Sequence, residues 1–301
     1  MKKIIFELAV LAVLSVSTIA CGQKKNVPES LVGIKEKVVQ IDSAVNVIYG
    51  WEPRDSTHDA SVDTLVANVL REYETERPEN NLGMESAASI EQSAYDSARE
   101  TWAEFKRLCN QEKYEAALDY YLADKPNDGG SNAGDFLLFL KHSSYRFYFY
   151  SEVLLPLMRE YKGAEFARKK YIDLLQLEKA LEDTSVALQV DGNEYIPEVY
   201  PYLIRDLGLA LTDDGRLNEA LNLTDDLMNV VYQISGETLY ANFVGTQYVA
   251  KLYLFLDDKE NAIGTWEDFK RFLNDKADDY PADIVKELMD QIQEQIKLIN
   301  E

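Results

Sequence analysis

Histidine and cysteine are nearly missing, with two of each in 301 residues. Neither His58 nor His142 has the HExxH, CxxC or paired-histidine spacing that a metal centre requires, so no metal or cofactor is expected. Cys109 falls at an apolar position of a predicted helix and reads as a buried, inert thiol, with a disulfide to Cys21 as the alternative. Glycine and proline, at 14 and 8 residues, are too sparse for a disordered chain, and a 46% hydrophobic content suffices for one sizeable core or an elongated array. Positive charge is the third shortage. Thirty-one basic residues face 53 acidic ones, a net −22, and that repulsion excludes nucleic acid and anionic lipid surfaces as electrostatic partners.

Catalytic signatures are also lacking. The stretch "DGGSNAGD" has no Lys-Ser/Thr behind it and so makes no phosphate loop, no nucleophile elbow occurs, and "LTDDGRLNE" lacks calcium-loop ligand spacing. An acid–base pair could be nominated anywhere among 53 carboxylates, so nomination carries no information and no catalytic residue is assigned.

What is present begins with a leader. Lys2 and Lys3 precede an apolar stretch from Leu8 to Val16, and Thr18-Ile19-Ala20 forms a small-x-small cleavage site, so residues 1–20 read as a secretion signal. A transmembrane anchor fits less well, because Ile4 to Ala20 is short and contains Glu7. "LSVSTIACG" resembles the lipobox of bacterial lipoproteins, departing from it at Glu7 and at Thr18, where leucine is usual. The resemblance implies diacylglycerol on Cys21 and an outer-membrane address facing the periplasm; the alternative is an ordinary signal that leaves Cys21 as a free thiol. Cleavage removes a net +1 and leaves −23.

Helical spacing runs through the rest. Apolar residues at 31, 34, 38, 41, 45 and 48 recur at close to 3.6, Leu65, Val69 and Tyr73 behave likewise, and no alternating strand stands out. Breaks fall at Gly-, Pro-, Asn- and Asp-rich stretches such as "KPNDGGSNAGD", "DGNEYIP", "ISGE" and "DDYPAD". Four units align on a small residue in the second helix of a pair: Ala117, Ala167, Ala220 and Ala262. Tyr121, Tyr171 and Trp266 stand four later, and Leu174, Leu227 and Phe269 seven later. Twelve residues separate Gly208 from Ala220 and Ala250 from Ala262.

This pattern resembles the tetratricopeptide repeat, strongly over 202–274 and partly over 98–182, where Lys106 takes the small position of a first helix. Intervals of 50, 53 and 42 between anchors exceed the family's period of about 34, which implies lengthened helices. The expected fold is all-α, a right-handed solenoid of helix hairpins. Its organisation is a signal peptide at 1–20, a tether at 21–30, an N-terminal helical region at 31–85, and a repeat domain at 86–301 ending in a capping helix. Gly208 and Ala220 are expected to face each other where two helices cross.

By that resemblance the concave face is lined by Tyr202, Arg205, Leu209 and Thr212 in one unit, by Val244, Gln247, Lys251 and Leu254 in the next, and by Arg107 in the first. Arg205 could instead pair with Asp206 or Glu198. The expected function is non-enzymatic: a membrane-anchored scaffold holding a protein or peptide in its groove. A glycan-binding lipoprotein and a helical-toroid polysaccharide hydrolase or lyase are the alternatives. The aromatic stretch from Phe136 to Tyr150 reads as one buried helix ending or kinking at Pro156, with a platform for sugar rings as the alternative.

Overall fold

The computed structural model describes residues 27–48, 87–125, 131–140, 143–185, 189–190, 193–194 and 199–301. Cys21 and the leader, Leu65, Val69 and Tyr73, Glu198 and both histidines lie outside them. The described chain is all-α: α1 (Ile34–Ile48), α2 (Ala87–Asn110), α3 (Tyr114–Leu122), α4 (Asn132–Phe139), α5 (Ser143–Phe149), α6 (Leu155–Lys162), α7 (Ala164–Ser185), α8 (Tyr200–Asp213), α9 (Leu217–Ser235), α10 (Thr238–Phe255), α11 (Lys259–Asp275) and α12 (Ala282–Asn300). One small ladder interrupts it, with Gln189–Val190 antiparallel to Asn193–Glu194. Two residues per strand are too few for an alternation to be visible in sequence. Among the described residues no helix is long and apolar enough to cross a membrane.

Consecutive helices from α6 to α12 pack on one another, and α8 also touches α10. Three of the tight turns are built identically. Glu112, Gly215 and Asp257, each five residues before an anchor alanine, take φ values of 56°, 75° and 60°. Their N–H groups donate to Cys109, Thr212 and Leu254, and the next N–H in each turn donates to Leu108, Leu211 and Tyr253 at 2.8–3.0 Å. That is the Schellman closure, which satisfies the last free carbonyls of the first helix and reverses the chain. The α6–α7 turn differs, with Gly163 at φ 87° only four residues before Ala167.

All four anchor alanines are fully buried, as are Tyr121, Tyr171 and Trp266 four residues later. Gly208 does not simply face Ala220 across an empty crossing. The Tyr248 hydroxyl of α10 reaches into that space and donates to the Ala220 carbonyl at 2.7 Å, and a Cβ on Gly208 would lie 2.7 Å from Tyr248 Cζ. Glycine at 208 is therefore required by the following hairpin.

The main core centres on Trp102, Phe105, Tyr121, Phe136, Phe139 and Phe149, whose ring centroids lie 5.0–6.0 Å apart in the pairs that touch. Ile34, Val38, Ile41 and Val45 of α1 belong to the same core. Asp42 of α1 accepts the Trp102 indole N–H at 2.8 Å and also pairs with Lys106, so the lysine that breaks the repeat pattern is used to hold α1. A second core lies between α10, α11 and α12. Cys109 is a buried free thiol, its pKa pushed up to about 12 by burial.

The aromatic stretch is two helices, not one. α4 ends at Phe139, and Leu140 leaves helical geometry with ψ 60°. The break is held from outside by Arg146, whose guanidinium donates to the Leu140 carbonyl at 3.0 Å. Phe136, Phe139, Tyr145, Phe149 and Tyr150 are buried, so they form core and present no platform for sugar rings. Before Pro156 the backbone widens into a π turn, Tyr150–Leu154. Proline has no N–H for the Glu152 carbonyl and its ring crowds that oxygen. The Lys37 ammonium approaches it at 3.5 Å while pairing with the Glu152 carboxylate at 2.6 Å.

Candidate partner-binding face

The nine side chains expected to line the groove meet different fates. Tyr202, Gln247, Lys251 and Leu254 are exposed, and Arg205 and Leu209 are half-buried. Thr212 is 2% exposed and its hydroxyl donates to the Gly208 carbonyl at 2.8 Å, so it offers nothing to a partner. Val244 is likewise buried, because α10 is packed on three sides by α8, α9 and α11. Arg107 is exposed on α2, whose principal neighbours are α1, α3 and α4, and it forks onto Glu104 one turn back at 2.5 and 2.7 Å. It lies beside an open pocket of about 360 Å³ shared with Asp42, Lys106 and Asn110, away from the α8 and α10 residues.

Arg205 stacks 5.9 Å over the Tyr202 ring and makes no ion pair among the described residues. Asp206, the expected competitor, is taken by the Tyr171 hydroxyl of α7. Burial raises the Asp206 carboxyl above its ordinary pKa of 3.8, against the lowering pull of the Tyr171 hydrogen bond and of the Lys251 and Arg159 charges. Lys251 and Arg159 likewise make no ion pair among the described residues, and both side chains are exposed. Lys251 of α10 and Arg159 of α6 thus both act on the half-buried Asp206 of α8, as does the like charge of Glu152.

Arg159 and Asp206 were not visible as site residues in the sequence. A signal for Arg159 existed: it stands eight residues before Ala167, as Thr212 does before Ala220 and Leu254 before Ala262. The aromatic stretch and the π turn upstream hid that register. Asp206 is recognisable only through its partner Tyr171, which is 35 positions away. Among the described residues no three His, Cys, Asp or Glu side chains converge on a point that could hold a metal ion.

The raised Asp206 pKa makes a testable statement about stability. A carboxyl whose folded pKa lies above its unfolded value binds more protons folded than unfolded, so its contribution falls as pH rises through the interval above 3.8. Asp206→Asn retains an acceptor for Tyr171 without the charge. Melting curves below that interval and at neutral pH should show the variant gaining on the wild type as pH rises. A difference that stays constant or shrinks would contradict the assignment.

No known protein family, curated protein or solved structure matches the chain.

Proposed function

We propose that the chain is a non-enzymatic binding protein that holds an extended, carboxylate-bearing protein segment against the face formed by α6, α8 and α10. The observation that carries this reading is that Arg159 and Lys251 both act on Asp206, whose neighbour on α8 is Arg205, and that none of the three cations is in an ion pair among the described residues, on a chain of net charge −22. Guanidinium groups hold carboxylates through paired hydrogen bonds, and a local reversal of sign attracts an acidic segment that the rest of the surface repels. In this reading the hairpins stack as a right-handed, tetratricopeptide-like solenoid. Its support is the shared Schellman turn at one offset from Ala117, Ala220 and Ala262. Acylation at Cys21 anchors the protein to the outer membrane, on its periplasmic side.

The test is affinity capture from detergent-solubilised envelope by wild type and by an Arg205→Glu, Lys251→Glu double variant. Lys251 is exposed and Arg205 half-buried over the Tyr202 ring, so the helical circular dichroism should be unchanged and any loss of stability small, about 1 kcal/mol or less per site. Partner retention should fall at least about ten-fold, and wild-type retention should weaken as salt rises. Capture undiminished in the folded double variant sinks the reading, and a bound glycan in place of a protein favours the glycan alternative.

A further inference from the structure

We propose that the groove between α9 and α11 is a binding site for a primary alkylammonium ion. The site is separate from the face proposed above. At roughly 100° per residue, Asn242, Thr246 and Val249 stand on the side of α10 opposite Gln247, Lys251 and Leu254.

The groove follows from helix packing. α9 and α11 each pack along α10 but scarcely meet each other, and the gap between them is an open pocket of about 420 Å³. Three threonines line it, one from each helix. Each hydroxyl proton is already engaged by its own helix: Thr224 donates to the Leu221 carbonyl at 2.6 Å, Thr246 to that of Asn242 at 2.9 Å, and Thr265 to that of Asn261 at 2.8 Å. What each oxygen still offers is lone pairs. Asp268 adds a carboxylate, engaged among the described residues only through Oδ1, by Arg271. The Asn242 side chain makes no hydrogen bond among the described residues and can turn its oxygen to the same space.

The polar lining is thus dominated by acceptors, beside an apolar wall of Met228, Val249, Phe269 and Phe272. That pairing suits a ligand with several N–H donors, a positive charge and a short hydrocarbon tail. A carboxylate or phosphate would face lone pairs and a like charge, and a neutral alcohol would supply a single donor. The field of a chain at −22 favours the same sign of ligand. Arg271 is the internal competitor for Asp268. With side-chain exposures of 75% and 68% that pair lies in water, where such contacts are weak and an incoming ammonium can replace them.

Met228 lies over Gly245 on the floor of the pocket, so its methyl group reports on occupancy. The test is a chemical-shift titration of the full chain labelled with carbon-13 at the methionine methyls, the Met228 signal being assigned through Met228→Leu. n-Pentylammonium should move that signal and bind with a Kd of about 1 mM, as expected of so small a ligand. n-Pentanol, which has the same tail, and pentyltrimethylammonium, which has the charge but no N–H, should each bind at least about ten-fold more weakly. Thr246→Val with Thr265→Val should weaken n-pentylammonium at least about five-fold at unchanged helical circular dichroism. Asp268→Asn, at an exposed position where the fold is insensitive to the change, should weaken it about three-fold, and Arg271→Gln, which releases Asp268, should strengthen it by about as much. Pentanol or the trimethyl ion bound as tightly as the primary ammonium overturns the proposal, as does an affinity indifferent to the threonine pair or to Asp268→Asn. A Met228 signal that stays in place up to about 20 mM n-pentylammonium overturns it outright.

Discussion

Gly208→Leu lowers the stability of the folded chain by about 3 kcal/mol, the upper part of the range for forcing bulk into a packed core. The residue it collides with cannot step aside. Tyr248 is 3% exposed, and its hydroxyl is fixed on the Ala220 carbonyl of α9. Leucine must therefore either displace the ring, which loses that hydrogen bond, or push α8 away from α10. At about 2–4 °C per kcal/mol for a chain of this size, the melting temperature should drop by several degrees. Ala220→Leu should cost a comparable amount, since Ala220 is fully buried, while Asn218→Leu on the exposed side should do little. Gly208→Ala with Tyr248→Phe separates the causes, because removing the hydroxyl relieves part of the collision. The two changes together should then cost less than the sum of each alone. Gly245 provides a contrast. A Cβ there would meet Met228 Cγ at 2.6 Å, but that side chain is flexible and half-buried, so Gly245→Ala should be the milder change.

A larger loss is expected at the buried ion pair between α5 and α7. Arg146 Nε donates to Glu178 Oε1 at 2.7 Å, with side-chain exposures of 9% and 1%. Tyr150 donates to the same oxygen at 3.1 Å, while Glu178 Oε2 has no hydrogen-bond partner among the described residues. Arg146→Met removes the charge that compensates Glu178, and also the donor that holds the Leu140 carbonyl at the end of α4. Breaking a buried pair from one side costs about 3–5 kcal/mol, because the remaining charge stays desolvated. Thermal or urea unfolding should therefore show the largest loss of any single change considered. Arg146→Met with Glu178→Leu should recover much of it, since an apolar pair of similar volume carries no uncompensated charge. Recovery should be incomplete, because Glu182, 4% exposed, also lies within the field of Arg146. A double variant as unstable as the single one would mean that shape, not charge, dominates at this contact.

These two sites also mark where the sequence could and could not be read. Helical periodicity and the anchor alanines are patterns of size and polarity along one chain segment, and the residues they singled out, Ala117, Ala167, Ala220 and Ala262, are all buried. What happens between segments was not legible. Nothing near Gly208 announces that Tyr248, 40 positions on, will fill its vacancy. Gly215 signals its turn, but Glu112 and Asp257 adopt the same left-handed geometry without a glycine, because the closing hydrogen bonds impose it. The aromatic stretch has unbroken helical composition, and only Arg146 reaching back to Leu140 reveals the break. On the candidate face, Tyr202, Gln247 and Lys251 are exposed, but a register carried from a resemblance could not foresee that a helix packed on three sides buries Val244.

The binding claim is tested most directly by a photo-crosslinking amino acid placed at Gln247, an exposed position on α10 one turn from Lys251. Irradiation of living cells should trap a protein adduct at position 247. The adduct should disappear when Arg205→Glu and Lys251→Glu are added, and none should form from the same probe at Asn218. A chain that yields no protein adduct at 247, or one whose adduct is untouched by the two charge reversals, does not hold its partner on this face.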